Sequence, residues 1–222
     1  MSLGENQSGG VQDSYNIQAD KSVSSQDITH HLTASVVYDL PFGRGRRFGS
    51  NWNRYADSFA GGWSLDPIFT FSSGLPINLS VNGSPSNTGS SSDLADNNDR
   101  PNFNPSDSNF HALLNPATNN PTRTKAQWFN TDAFVENAPY TFGDVGRNIL
   151  RADKAVNLDL AAHKTIKITE RVSTQLRLEA FNIANHDVLA APNAVVGAST
   201  FGEVTSSSST ARQLQAAVKV IF

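Results

Sequence analysis

The chain has no cysteine, which excludes disulfide bonds, thiol catalysis and cysteine-ligated metal sites. Charged residues are scarce, at 17% of 222 residues, and 17 basic side chains nearly balance 20 acidic ones. This net charge of −3 predicts no broad nucleic-acid-binding surface. No apolar run reaches the roughly 18 residues of a membrane-spanning helix, but alternating β-strands do not need such a run.

The last eleven residues, R-Q-L-Q-A-A-V-K-V-I-F, alternate in polarity. A strand sends successive side chains to opposite faces, so one face here is wholly apolar and ends on the aromatic Phe222. Outer-membrane barrels alternate apolar-outward and polar-inward residues and carry aromatic girdles. The segment therefore predicts the closing strand of a barrel, although the final strand of a soluble domain would show the same alternation.

Four earlier segments alternate in the same way, and we predict strands there too. They lie near residues 31–40, 62–80, 153–166 and 171–182, ahead of the closing strand at 212–222. Pro67 cannot donate to a neighbouring strand, so we expect a β-bulge around it. Lys164 falls on an apolar face near a strand end, from which its long side chain can reach the membrane interface.

The connections between these strands alternate in length, as in bacterial barrels with short periplasmic turns and long outer loops. The link at about residues 167–169 is short, whereas the loops 82–150 and 183–210 are long. If the last residue lies at the periplasmic edge, both long loops fall outside. Tyr38, Trp63 and Phe222 then lie on the apolar face near that edge, which predicts an aromatic girdle.

The polar faces of the strands would line the lumen of the barrel. The candidate lumen-lining residues are Asp159, His163, Arg177, Glu179, Gln215 and Lys219. We expect Asp159 to lie opposite Arg177, and Leu158 opposite Leu178, because a shift of two residues would set Asp159 against Glu179. Such an ion pair could also be a plain part of the wall, without a role in transport.

The long loops are rich in Ser, Asn, Pro and Asp and have little periodicity. A structureless stretch of this length argues against a compact soluble domain but suits a barrel. Trp128, Tyr140 and Phe142 are candidates for ligand contacts such as sugar stacking, or for packing under the loop. Residues 93–99 could offer oxygen ligands to calcium, or form a solvated loop, because they lack the pattern of an EF-hand.

Two further stretches flank the first predicted strand. Residues 1–27 are polar and indicate a loop or a disordered start. The basic cluster Arg44, Arg46 and Arg47 follows the strand, where it could contact phosphate or lipid headgroups or form a solvated turn. Residues 51–59 then indicate a short helical turn.

Several segments taken together resemble a known family. They are Y-D-L-P-F-G-R-G-R-R-F (38–48), G-G-W-S-L-D-P-I-F-T-F-S-S-G-L-P (61–76), W-F-N-T-D-A-F (128–134), G-D-V-G-R-N-I-L-R (143–151), L-R-L-E-A-F-N-I-A-N-H (176–186) and the closing strand. Their order and spacing resemble the C-terminal end of TonB-dependent outer-membrane transporters, in the Oar-like branch with a carboxypeptidase-regulatory-like domain. The resemblance covers residues from about 28 to 222.

The resemblance implies an all-β, antiparallel transmembrane barrel, of which this chain holds about the last five strands of 22. It implies a receptor for a bulky nutrient such as a glycan, a peptide or a metal chelate, located in the outer membrane of a Gram-negative bacterium. The implied partners are the rest of the barrel and its plug, the TonB complex, the lipid bilayer, and the barrel assembly machinery acting on the closing strand. No signal peptide opens the chain, so we expect that the start of the gene is missing.

The sequence does not favour an enzyme, and we expect no catalytic residue, cofactor or metal site. It contains no Gly-x-Ser-x-Gly elbow, and His30 and His31 lack the spacing of a helical zinc pair. A hydrolase using His163 with Asp159 is a remote alternative. The stronger alternatives are a soluble secreted β-sandwich that binds a ligand, and a passive porin or adhesin barrel without a plug.

Overall fold

A computed structural model describes residues 11–13, 15–83, 86–88, 99–106 and 123–222. The chain divides into two compact units. The strand unit contains His30–Ser72, Ala155–Val188 and Ser209–Phe222. The loop unit contains Met1–Thr29, Ser73–Lys154 and Leu189–Ser208.

The described secondary structure consists mainly of strands. In chain order they are β1 (His31–Ser35), β2 (Tyr38–Asp39), β3 (Trp63–Ser72), β4 (Pro76–Ile77), β5 (Ser80–Val81), β6 (Asn102–Phe103), β7 (Phe134–Val135), β8 (Leu150–Arg151), β9 (Ala155–Lys167), β10 (Ser173–Phe181), β11 (Val195–Val196) and β12 (Gln213–Ile221). The α-helix α1 spans Arg54–Ala60, and 3-10 turns lie at Ile17–Asp20 and Thr131–Ala133. Among the described residues, no helix is long and apolar enough to cross a membrane.

The strand unit is a single antiparallel sheet in the order β1-β3-β9-β10-β12, with β2 also paired to β3. Consecutive long strands are neighbours, which is the up-and-down connectivity of a barrel wall. The predicted all-β, antiparallel fold class is therefore confirmed. In the described part of the chain, the sheet does not close on itself.

The register brings the apolar sides of all the long strands onto one face. Phe69 lies opposite Leu158, and Leu176 lies opposite Val218. Because side chains alternate along each strand, the same pairing sends the polar residues of every strand to the other face. The sheet thus has one continuous apolar face and one polar face.

Pro67 lies within β3 without a bulge, since β3 pairs residue for residue with β9 from Trp63 to Ser72. The carbonyl of Pro67 accepts a hydrogen bond from the N–H of Val36 at 3.3 Å, so the side of proline that lacks a donor faces this neighbour. Pairing is interrupted there, between β1 and β2. The predicted bulge is wrong, and the predicted strand 31–40 is two short strands instead.

The segment after Ser72 does not prolong β3, contrary to the strand predicted to residue 80. Instead, β4 pairs antiparallel with β8, and β5 pairs parallel with β11. Both pairs belong to the loop unit. The chain leaves the sheet near Gly74, where the backbone passes so close to that of Ala152 that a Cβ at this position would overlap it.

The pairing of β9 with β10 differs from the prediction. Arg177 lies opposite His163, and Leu178 lies opposite Ala162. The expected partner of Arg177, Asp159, is four residues away along β9, so the predicted register is wrong.

The turn between β9 and β10 explains the difference. It occupies residues 168–172 instead of the predicted link at 167–169. The hydroxyl oxygen of Thr169 accepts the N–H of Val172 at 3.0 Å and that of Arg171 at 3.3 Å. A threonine that bonds to the backbone ahead of it favours a turn, and this longer turn shifts the register.

The loop unit has a hydrophobic core of its own, so the predicted structureless loops are wrong where the structure describes them. Phe129 packs edge-on against Phe134 and Phe201, with ring centroids 5.9 and 5.2 Å apart. The buried members are Ile77, Leu79, Val81, Trp128, Phe129, Ala133, Phe134, Val145, Leu150, Val196 and Val204. None of these buried residues belongs to the strand unit.

By contrast, no apolar strand residue of the strand unit is buried, and those on β12 are largely exposed. Leu214 retains 78% of its accessible surface and Val218 retains 68%. Within the described residues of the strand unit there is no second sheet to cover the apolar face. A water-soluble sandwich would bury these side chains, whereas a barrel wall presents them to lipid.

Candidate functional site

On the polar face, an aspartate of β3 and a histidine of β9 form a partly buried pair. Nδ1 of His163 lies 3.0 Å from Oδ2 of Asp66, and both side chains retain about a quarter of their exposure, at 27% and 28%. The second carboxylate oxygen of Asp66 is buried and has no hydrogen-bond partner among the described residues. Asp66 was missed in the sequence, because its partner lies 97 residues away.

The other predicted lumen residues form short-range contacts. Arg177 and Glu179, two residues apart on β10, form an ion pair at 2.7 Å. Asp159 accepts the backbone N–H of Asn182 at 2.8 Å, and Arg177 lies opposite His163 instead of opposite Asp159. The Asp159–Arg177 ion pair is therefore wrong.

The last two candidates lie on β12, on the same face. Gln215 is opposite Glu179, and Lys219 is opposite Gln175. The six candidates thus share one face across three neighbouring strands. Their contact with a lumen stays a prediction.

Lys164 points to the apolar face but does not reach out to the interface as expected. Its Nζ donates to the carbonyl of Asp57 at 3.0 Å and to that of Gly61, and the residue is only 5% exposed. These carbonyls lie in the last turn and at the C-cap of α1, where that of Asp57 also accepts the N–H of Gly61 at 2.9 Å. The ammonium group therefore caps a helix.

The three predicted girdle aromatics are arranged along one oblique line. When the paired residues are followed from strand to strand, Tyr38 on β2 is aligned with Ala216 on β12, four strand spacings away. Phe222 lies six residues beyond Ala216. With about 4.8 Å between strands and about 3.3 Å per residue, the line from Tyr38 to Phe222 crosses the strands at roughly 45°. Trp63 falls near the same line.

Strands in membrane barrels tilt by about 35–45°, so residues on such a line would lie at one height in the membrane. Tyr38 is 52% exposed and Phe222 is 97% exposed, as membrane-facing aromatics would be. The girdle stays a prediction, and this geometry supports it.

The three aromatics proposed for ligand contacts differ in accessibility. Trp128 is 6% exposed, its Nε1 donates to the carbonyl of Arg151 at 2.9 Å, and the guanidinium of Arg123 covers its ring at 5.1 Å. It packs inside the loop unit and cannot stack on a ligand. Tyr140 is 77% exposed and Phe142 is 41% exposed, so these two remain open to solvent.

A buried polar network pins the polar start of the chain to the loop unit. The side-chain oxygen of Gln12 accepts both the N–H and the Nε of Arg100 at 3.0 Å. Arg100 also lies 3.1 Å from Asp20, and both side chains are less than a tenth exposed. Burial lowers the pKa of Arg100, and the charge of Asp20 opposes this shift.

A second set of contacts comes from the segment G-R-N-I-L-R. The side-chain amide of Asn148 donates to the carbonyl of Val23 at 2.8 Å. Arg151 donates to both the carbonyl and the carboxylate of Asp27, and this bond holds the pKa of Asp27 below its ordinary value of 3.8. We call residues 11–27 the strap; the prediction of a plain loop or disordered start missed these contacts.

The described residues hold no group of three or more His, Asp or Glu side chains placed to bind a metal. Most of the acidic stretch proposed for calcium, residues 93–98, lies outside the part of the chain that the structure describes. Its last member, Asp99, is buried and accepts hydrogen bonds from the hydroxyl and the N–H of Ser86. That carboxylate is therefore used within the fold.

Comparison with known families identifies the architecture. Residues 1–215 match the family described as "Outer membrane beta barrel domain". No curated protein and no solved structure matches the chain. The family match agrees with the exposed apolar face, so the soluble β-sandwich alternative is wrong. The chain belongs to the outer-membrane β-barrel domain family and resides in the outer membrane of a Gram-negative bacterium.

Proposed function

We propose that the chain forms the C-terminal wall and outer loops of a TonB-dependent receptor that imports a bulky nutrient, such as a glycan, a peptide or a metal chelate. In this proposal the barrel has 22 strands, and this chain supplies about the last five. The polar face lines the lumen against an internal plug. Energy from the inner membrane, transmitted by the TonB complex, opens that plug.

The observation that carries the proposal is the folded loop unit. The residues between the long strands bury eleven hydrophobic side chains in one core. A folded unit can hold a preformed binding surface, which favours capture of a large ligand over free diffusion of small solutes. Tyr140 and Phe142 are its exposed candidates for contact with the ligand.

The route of the chain supports the same arrangement. The chain leaves the sheet at Ser72 and re-enters it at Ala155, and these two residues lie opposite each other. It leaves the sheet again at Phe181 and re-enters it at Gln213, another opposed pair. Long connections therefore leave from one end of the sheet, as the outer loops of bacterial barrels do.

The polar face supplies charged groups of both signs to the proposed lumen. The charges of Arg177 and Glu179 remain paired with each other, and the ring of His163 lies within hydrogen-bond distance of Asp66. Paired charges hold a wall rigid without attracting one sign of ion strongly. Such a wall suits contact with a removable plug better than the charge-selective constriction of a porin.

The passive porin or adhesin barrel is the alternative, and conductance separates the two. The protein is extracted from outer membranes and inserted into a planar lipid bilayer. A plugged receptor gives no steady open channel, and its conductance appears only after the plug is unfolded with urea. A steady channel in buffer alone overturns the proposal in favour of a porin.

A second measurement tests energy coupling. Formaldehyde cross-linking of intact cells is expected to yield a species that contains both this protein and TonB. The species should be missing in a strain without TonB, while the amount of the protein in the outer membrane stays unchanged. Absence of the species in both strains counts against TonB-dependent transport.

A further inference from the structure

The helix α1 exposes two aromatic side chains on one side. Tyr55 is 85% exposed and Phe59 is 84% exposed, and they stand one helical turn apart. The helix is nevertheless well defined, because the side chain of Asn53 caps its first turn by accepting the N–H of Ala56 at 2.7 Å. Two neighbouring exposed aromatic side chains on a fixed helix form a hydrophobic patch, and such a patch often marks an interaction site.

The C-terminal end of α1 is held on the apolar face of the sheet. Nε1 of Trp63 donates to the carbonyl of Phe59 at 2.9 Å. Nζ of Lys164 donates to the carbonyls of Asp57 and Gly61. Trp63 and Lys164 are directly opposed across β3 and β9, and both point to the apolar face. The helix therefore ends on the lipid-facing side, at the level of the proposed girdle.

The chain before the helix is equally well fixed. The carboxylate of Asp57 accepts the N–H of Arg44 at 2.7 Å, and the N–H of Gly62 donates to the carbonyl of Phe42 at 3.2 Å. Gly43 and Gly61 pack so closely that a Cβ on either would meet the other's Cα. The turn from β2 to β3 is thus a folded hairpin that presents α1 in one orientation.

This turn is also basic. Residues 39–60 contain four arginines against two aspartates. The guanidinium of Arg47 lies over the ring of Phe48 at 5.4 Å. Arginine next to aromatic rings is the combination that amphipathic segments use at a membrane surface, where rings enter the acyl boundary and guanidinium groups meet phosphates.

We propose that α1 and the arginines of its turn form an interfacial anchor that binds the phospholipid surface of the bilayer around the barrel. Tyr55 and Phe59 enter the boundary between headgroups and acyl chains. Arg47 and Arg54 contact lipid phosphates. The proposal rests on the membrane location of the family and on the contacts of Trp63 and Lys164, and it is independent of TonB-dependent transport.

Single-cysteine spin labels test the anchor directly, because the chain has no cysteine of its own. The protein is purified from outer membranes with Tyr55→Cys, Phe59→Cys or Ser58→Cys and reconstituted in phosphatidylglycerol vesicles. Tyr140→Cys is the control, since Tyr140 is equally an exposed aromatic but belongs to the loop unit. Each nitroxide is then exposed to oxygen, which concentrates in lipid, and to a water-soluble nickel complex.

The labels at the positions of Tyr55 and Phe59 are expected to be more accessible to oxygen than to the nickel complex. The label at the position of Tyr140 is expected to be more accessible to the nickel complex than to oxygen. The label at Ser58, rotated away from the two aromatics, should give an intermediate value. Nickel access at Tyr55 and Phe59 equal to that at Tyr140 overturns the proposal. Protection from both reagents also overturns it, since that result indicates a covering protein.

A charge variant tests the role of the arginines. Arg54→Glu is expected to reduce the oxygen preference of the Phe59→Cys label in phosphatidylglycerol vesicles. The same variant should leave the label unchanged in vesicles of phosphatidylcholine, which carry no net charge. An equal response in both kinds of vesicle, or none in either, refutes attraction of the arginines to the phosphates of anionic headgroups.

Discussion

Asp27 and Arg151 form an ion pair at 2.5 Å, although 124 residues separate them in the chain. Both side chains are about a third exposed, at 35% and 29%. The pair is the last of several contacts that hold the strap to the loop unit, after Gln12 with Arg100 and Val23 with Asn148. Of these contacts, the one with Arg151 depends on pH, because it uses the carboxylate of Asp27.

The strap is expected to loosen in acid. The pKa of Asp27 is lowered in the folded protein by its bond to Arg151, so its contribution is complete above the ordinary value of 3.8 and is lost as the pH falls below it. Hydrogen exchange of residues 21–29, corrected for the intrinsic rate, should stay constant from pH 5 to 3.8 and rise as the pH falls further. Asp27→Asn should show faster exchange at neutral pH, and a pH-independent profile in the wild type would contradict this account.

The register of β9 and β10 can be measured by cross-linking. His163 and Arg177 are directly opposed, so the variant with cysteine at both positions is expected to form a disulfide in isolated outer membranes under mild oxidation. Asp159 lies four residues away along β9, a separation of about 13 Å, so cysteines at 159 and 177 should stay reduced. Faster oxidation of the second pair would restore the register in which Asp159 faces Arg177.

The sequence predicts the faces of the strands better than their register. Alternation in β12 and β9 depends only on side chains within each strand, so it correctly assigns Val218 and Leu158 to one face. Register depends on the turn, and the Thr169 hydroxyl, which accepts the N–H groups of Arg171 and Val172, favours a turn longer than polarity indicates. The break opposite Pro67 depends on which neighbour the proline faces, which the sequence does not state.

The loop unit was harder to predict for a different reason. Its core draws Val81, Trp128, Leu150 and Val204 from separate segments that have no common period. The strap contacts join residues 80 to 131 positions apart, such as Asp20 with Arg100 and Gln12 with the carbonyl of Gly143. Neither kind of contact leaves a local pattern, so composition suggests only a loop.

Gly143 is required by close packing, whereas its neighbour Gly146 is not. A Cβ at Gly143 would overlap the backbone of Arg100, while one at Gly146 would meet only a side-chain methyl of Ile149 at 3.3 Å. Gly143→Ala is therefore expected to destabilise the loop unit by about 1–3 kcal/mol, the usual cost of overpacking. Gly146→Ala is the matched control and should stay within about 0.5 kcal/mol.

Limited proteolysis of the outer-membrane protein gives the readout for this pair. Gly143→Ala should speed cleavage within the loop unit while the membrane-embedded strands stay protected. Gly146→Ala should be cleaved at the wild-type rate. Equal rates for the two variants would mean that the close approach to Arg100 contributes nothing.

The exposed apolar face is expected to contact lipid, and a charge placed on it tests this. Val218 is 68% exposed and lies four residues from Phe222, roughly 10 Å into an apolar band of about 25 Å. Val218→Arg is expected to cost about 2–4 kcal/mol, because arginine near the midplane loses its hydration. Gln215→Arg, on the polar face of the same strand opposite Glu179, should be close to neutral. Urea unfolding of the barrel in lipid vesicles, followed by its shift in gel mobility, gives both values. A larger loss for Gln215→Arg than for Val218→Arg would reverse the assignment of the two faces.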